Sequence, residues 1–182
     1  MSAPKPVLRD APSERKIAAL ATPTDLKPKN TAAVAKELNM LVADAFALYL
    51  KTKNFHWHVS GPHFRDYHLM LDEQADQIFA AIDPLAERVR KLGERTVLGV
   101  THVVALTSVE DSTADFVAPG DMLRTLMDDN KAMAAAMRKA HGVCDDNDDP
   151  ASASLIEVYI DETERRTWFL FEAGRPADAA GH

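Results

Sequence analysis

Apolar residues recur at Val34, Leu38, Leu41, Val42, Ala45, Phe46, Leu48 and Tyr49, three and four apart, as one face of an α-helix requires. The pattern predicts a first long helix that opens at Asn30 or Thr31, both serviceable N-caps, and runs to about Val59, where Ser60-Gly61-Pro62 stops it. A second stretch, from His63 or Phe64 to about Leu92, keeps helical spacing through Ile78, Phe79, Ile82, Leu85 and Val89, with Gly93 at its end. Pro84 lies inside it, removes one backbone donor and predicts a kink. Residues 94–119 break the periodicity: Val97 to Leu106 is rich in β-branched residues and Ser108 to Ala118 is more polar, which predicts a long crossover with one small helix at 101–107. Helical spacing resumes from about Asp121 to His141, where Met122, Met127, Met133 and Met137 read as core filler. The run Asp145-Asp146-Asn147-Asp148-Asp149 reads as a loop whose last residue caps a final helix, with Pro150 in its first turn and an end near Ala173-Gly174.

Four helices with one long middle connection describe an all-α chain, a ferritin-like four-helix bundle with a long crossover between its second and third long helices, better than an up-down-up-down bundle. No internal repeat is visible. The expected organisation is an extended arm over residues 1–29, which hold five prolines and a turn of helix around Glu14–Leu20, then the bundle over 30–173 and a short tail over 174–182.

Composition narrows the chemistry. A chain of 182 residues that is 46% hydrophobic and 27% charged can bury a core and is not intrinsically disordered. The single cysteine, Cys144, excludes a disulfide scaffold and a thiolate-ligated metal domain, and the aspartates that follow it disfavour its thiolate. The longest apolar stretch, Leu38 to Leu50, is interrupted by Asn39 and Asp44 and is too short to span a bilayer, so no membrane partner is expected. The first residues, MSAPKPVLRD, lack an apolar signal region, which reads as a cytoplasmic protein. Charge is uneven: residues 1–30 carry Lys5, Arg9, Arg15, Lys16, Lys27 and Lys29 against three acids, a net of +3, and the chain as a whole is −7. An acidic body does not bind nucleic acid over its general surface, whereas these six cations are candidate DNA contacts when many copies of the arm gather on one particle.

The dense chemistry lies at residues 55–72, F-H-W-H-V-S-G-P-H-F-R-D-Y-H-L-M-L-D, followed by D-P-L-A-E at 83–87. His68 and Asp72 are four residues apart, and so are Asp83 and Glu87, so each pair shares a helix face. The eleven-residue step from Asp72 to Asp83 is nearly a whole number of turns, which puts all four groups on one stripe, with His56 available from the preceding helix. Imidazole and carboxylate without thiolate suit iron, zinc or manganese. A single His–Asp pair on a helix is more often a solvated ion pair than a ligand set, but two pairs in phase are not explained so simply. At a rise of ~1.5 Å per residue the two pairs stand ~16 Å apart, while metal–ligand bonds are only ~2 Å long. Either there are two separate sites, or a second subunit packs across a two-fold axis and sets its Asp83–Glu87 opposite the first subunit's His68–Asp72. No histidine has a glutamate three residues before it; Lys53 holds that position before His56. A di-iron centre of the Glu-x-x-His kind within one bundle is excluded.

Residues 54–93 resemble the Dps family, the miniferritins named as DNA-binding proteins from starved cells, through F-H-W-H at 55–58, H-x-x-x-D at 68–72 and D-x-x-x-E-R at 83–88. The twelve-residue step from His56 to His68, the helix lengths, the crossover and W-F-L-F-E at 168–172 extend the resemblance over about residues 31–173. It implies a hollow shell of twelve subunits, with two irons at each ferroxidase site between two-fold related subunits. His56, His68 and Asp72 would come from one subunit and Asp83 and Glu87 from the other, with Trp57 packing beside the metal. It also implies Fe(II) and hydrogen peroxide as reactants, ferric mineral stored in the cavity, and protection of DNA. One departure is Glu94 after Gly93, where the family often has a second glycine, which puts the turn in question.

His58 and His63 match no ligand position, His102 and His141 read as surface residues, and His182 is the last residue. Asp145, Asp146, Asp148 and Asp149 read first as a solvated loop and cap, and second as candidate pore acids that several copies would turn toward incoming Fe²⁺. Two rival functions are a nucleoid-binding shell in which the arm's DNA contact is the main role, and a ferritin-like oxygenase or catalase, for which a complete intrasubunit ligand set is missing.

Overall fold

The computed structural model describes residues 20–175. Five helices follow one another: α1 over Pro28–His58, α2 over Phe64–Lys91, α3 over Val100–Leu106, α4 over Pro119–Asp146 and α5 over Pro150–Ala173. There is no strand among the described residues, and the fold is all-α and ferritin-like. α1 packs most extensively on α2, and α4 on α5; the two hairpins then close on one another through α1–α4 and α2–α5. Their shared core holds Leu38, Leu48, Leu71, Leu85, Leu126 and Ile156, each fully buried, at about 2 kcal/mol of apolar transfer per such side chain. Met122, Met133 and Met137 are buried in it and Met127 packs against it, as expected of filler.

Element ends differ from the periodicity where tertiary contacts decide them. α1 begins at Pro28 rather than at Asn30 or Thr31, because proline at N1 is already set for the helix. Asn30 and Thr31 turn outward from capping: Asn30 Nδ2 donates to the Asn147 carbonyl at 3.1 Å, and Thr31 Oγ1 donates to Glu94 Oε1 at 2.8 Å. α2 runs through Pro84 as one helix. α3 begins at Val100, one residue before the expected small helix, and buries none of its seven residues.

α4 continues to Asp146, five residues past the expected end, so Asp145 and Asp146 are helical and not loop. Acids at a helix C-terminus oppose its dipole, but Cys144 is fully buried and draws the last turn into the core. The Asp149 and Asp148 amides then return to the Cys144 and Asp145 carbonyls at 3.0 and 3.3 Å, a Schellman end with Asp148 in the left-handed position at φ 60°. The same closure ends α2: Gly93 takes φ 78°, and the Glu94 and Gly93 amides reach the Val89 and Arg90 carbonyls at 3.2 and 3.0 Å. Only the first of these two turn residues needs positive φ, so glutamate at 94 fits.

The beginning of the described chain is tied down. Thr22 Oγ1 donates to the Arg90 carbonyl at 2.8 Å, Arg90 Nη2 donates to the Leu20 carbonyl at 2.6 Å, and Thr22 lies close above Gly93, where a Cβ would meet its carbonyl at 3.0 Å. Residues 20–29 therefore depart from the expectation of a free arm: part is strapped to the end of α2 and part belongs to α1. Lys5, Arg9, Arg15, Lys16, the helical turn before Leu20 and His182 lie outside the described residues. No helix among those described is long and apolar enough to cross a membrane.

Candidate metal centre

α1 and α2 are antiparallel, joined by a short turn in which Gly61 takes φ 99°. The last turns of α1 thus face the first turns of α2, which brings His56 onto His68. Their rings stack at 3.8 Å between centroids, and Phe64 stacks on His68 at 5.0 Å. His56 Nδ1 lies 2.7 Å from the His68 carbonyl, and His68 Nδ1 lies 2.8 Å from the His56 carbonyl. A carbonyl only accepts, so each Nδ1 carries the proton and donates it. Each Nε2 is then left with its lone pair, the tautomer a metal-binding histidine needs. His56 Nε2 lies 3.8 Å from Asp72 Oδ1, so one carboxylate stands near the stacked pair.

Lys53, one turn before His56, donates a short hydrogen bond to Asp72 Oδ1. That bond holds the Asp72 carboxyl below the usual carboxylate range and the Lys53 ammonium above its own. Asp76, the next position on the stripe, stands 4.0 Å from the same ammonium. Neither Lys53 nor Asp76 is among the residues that spacing singled out. The lysine was visible only as a position that failed to be glutamate, and its pairing is made by the hairpin.

The other half of the stripe is built differently. Asp83 and Glu87 are exposed, and among the described residues Glu87 pairs with Lys91 alone, at 3.2 Å. Asp83 lines a mostly apolar groove of about 540 Å³ with Phe46, Phe79, Ile82, Leu98 and Val100. Trp57 is 60% exposed on the same hairpin. Among the described residues of one chain, no three His, Cys, Asp or Glu side chains gather into a group able to hold a metal ion. His56, His68 and Asp72 come together; Asp83 and Glu87 stand apart from them, as the rise of the helix requires.

The chain's similarity to known proteins fits this geometry. Residues 35–173 match the ferritin-like domain family. The DNA protection during starvation protein of Brevibacillus brevis is 31% identical over 137 residues, which cover 75% of this chain and 91% of that one. This chain is a member of the Dps family. Among solved structures, a Dps protein from Bacillus brevis superposes with a TM-score of 0.79 at 28% identity, covering 82% of this chain and 100% of that one. DpsC from Streptomyces coelicolor gives 0.83 at 25% identity, over 86% of this chain and 91% of its own.

The remaining candidates in this Dps chain sort by burial. His58 and His63 are exposed: His58 Nδ1 bonds the Asn54 carbonyl at 2.7 Å, and the His63 ring lies 5.6 Å from that of Tyr67. His102 and His141 are half-buried, and His141 lies 2.9 Å from Glu157 and 3.2 Å from Asp145. Asp145, Asp146 and Asp148 are exposed. Asp149 is not a pore acid: it is 1% exposed, caps α5 through the Ser152 amide at 3.1 Å, and accepts from Arg88 Nη2 at 2.6 Å. The arginine of the D-x-x-x-E-R run thus ties the end of α2 to the start of α5 and serves the fold. Burial, with Asp149 and Asp145 nearby, pushes the Cys144 thiol up to about 12, so it stays protonated and inert at neutral pH.

Proposed function

We propose that this chain oxidises Fe(II) with hydrogen peroxide at di-iron sites shared by two-fold related copies, and stores the ferric product inside a shell of twelve. The observation that carries the reading is the reciprocal Nδ1–carbonyl lock of His56 and His68, with His56 Nε2 3.8 Å from Asp72, in a chain whose described residues form no complete metal-holding group of their own. The exposed Asp83, which lines an apolar groove, and the exposed Glu87 one turn on supply the missing carboxylates when a second copy fills the groove. Iron is substrate and cargo here. Carboxylates favour the ferric product over the ferrous reactant, and two irons side by side give peroxide its two electrons together, so no hydroxyl radical is released. Trp57, adjoining the site, accepts stray oxidising equivalents.

Relatives that carry the name DNA protection during starvation protein accord with this chemistry, since consuming Fe(II) and peroxide spares DNA in the cytoplasm. Weak DNA contact through the arm is an accessory part of the proposal: Lys27 and Lys29 are exposed at its base, and such contact is salt-labile. Asp145, Asp146 and Asp148 remain the pore acids of the proposal.

Mixed shells test the shared site. One chain carries His56→Ala and His68→Ala, the other Asp83→Ala and Glu87→Ala. Each alone oxidises Fe(II) at the background rate, whereas random equal mixing restores activity to about one quarter of the wild-type sites under two-fold pairing. No recovery in verified mixed shells, which light scattering should size at roughly twelve 20.0 kDa chains, refutes the intersubunit assignment.

A further inference from the structure

Lys53 and His56 lie one turn apart on α1 and meet the same oxygen. The Lys53 ammonium donates to Asp72 Oδ1, and His56 Nε2 stands 3.8 Å from that atom. A divalent ion ligated by Asp72 at ~2 Å would therefore sit within a few ångströms of a fixed positive charge. Lys53 has somewhere else to go. Asp76 Oδ1 is 4.0 Å from its ammonium, one turn farther along α2, on a side chain that is 78% exposed. The Lys53 side chain is only 17% exposed, and its ammonium already stands within reach of both carboxylates. A lysine head is a point charge with rotatable donors, and it changes partners without the geometric demands of an arginine fork.

We propose that Lys53 is a positioning residue and resident competitor for the metal position, held on Asp72 before a divalent ion binds and handed to Asp76 when one arrives. The proposal rests on the reading of His56, His68 and Asp72 as ligands. Its consequence is a site that iron passes through. The returning ammonium helps to expel the ion, as a protein that stores its product elsewhere needs.

Assembled protein is titrated with Co(II), read by its d–d absorption and by calorimetry, with thermal unfolding confirming that each variant is folded. Lys53→Met keeps the stem and removes the charge; it should tighten Co(II) binding about tenfold at low ionic strength, while Lys53→Arg should not tighten it. Asp76→Asn should weaken binding several-fold in the wild-type background and leave it unchanged in the Lys53→Met background. Binding by Lys53→Met that is unchanged or weaker overturns the competitor role and makes Lys53 a support for Asp72. An Asp76→Asn effect of equal size in both backgrounds overturns the handover. If wild-type protein binds no Co(II), or His56→Ala with His68→Ala leaves binding unaltered, the reading of the site itself fails, and this proposal with it.

Discussion

At the start of α2, His68 and Asp72 sit half-buried against α1, with their tautomer and rotamer set by hydrogen bonds inside the chain. At its far end, Asp83 and Glu87 belong to the same stripe and offer the same chemistry, yet they face solvent and are held by little more than one lysine. The contrast separates two ways of organising ligands. The first half is prepared by folding, so its cost and its precision are properties of the subunit. The second half is left to be positioned by whatever docks, so its precision is a property of the interface. Under the proposed function, a chain that divides its ligands in this way makes chemistry conditional on assembly, and a lone subunit has half the stripe ordered and nothing complete.

The comparison breaks most visibly if docking is removed. Leu98→Asp with Val100→Asp places two charges where side chains 69% and 79% exposed in the single chain rim the groove. Light scattering should show the shell lost outright while far-UV circular dichroism keeps a helical subunit; an intact shell would move the contact elsewhere. A smaller effect sharpens the contrast within the subunit. His56→Ala removes a buried ring, its stack and a hydrogen bond, and should cost about 2 kcal/mol in denaturant unfolding of that dissociated, helical subunit. Glu87→Gln, on an exposed side chain with one surface ion pair, should stay within about 0.5 kcal/mol of its parent by the same measurement. Equal losses would mean that both halves are organised by the chain.

Much of this was legible in the sequence, and the omissions have a common cause. Periodicity located all four long helices and the small one, because each buries a stripe whose spacing is local. The same logic set His68 with Asp72, and Asp83 with Glu87, on one face. What spacing missed is what the docking of hairpins decides. α4 outruns its expected end because Cys144 packs into the core, and its left-handed turn is made by Asp148 without a glycine to announce it. Asp149 reads as the cap of the final helix, as it is, but spacing does not show Arg88 arriving from α2 to pair with it and bury it. Lys53 enters the spacing argument only as the residue three before His56, and its pairing exists because α2 brings Asp72 to it. Spacing left the two-fold option open beside two separate sites, and the family resemblance chose between them, which no property of a single chain does.

The crossover is pinned at both ends and little between. Asn39 bonds the Arg95 carbonyl and Thr96, each at 3.0 Å, and buried Asp44 accepts from Thr107 at 2.9 Å and from the Ser108 amide at 2.6 Å. Between those anchors α3, one short helix with no buried residue, is too brief to persist on its own propensity. Its amides should therefore exchange with solvent through local opening in an isolated subunit, far faster than those of α1, and slow down only within the shell. On the proposed assembly, the stretch of chain that becomes rigid last is the one a neighbour touches, and joining the shell is the closing step of this subunit's own folding.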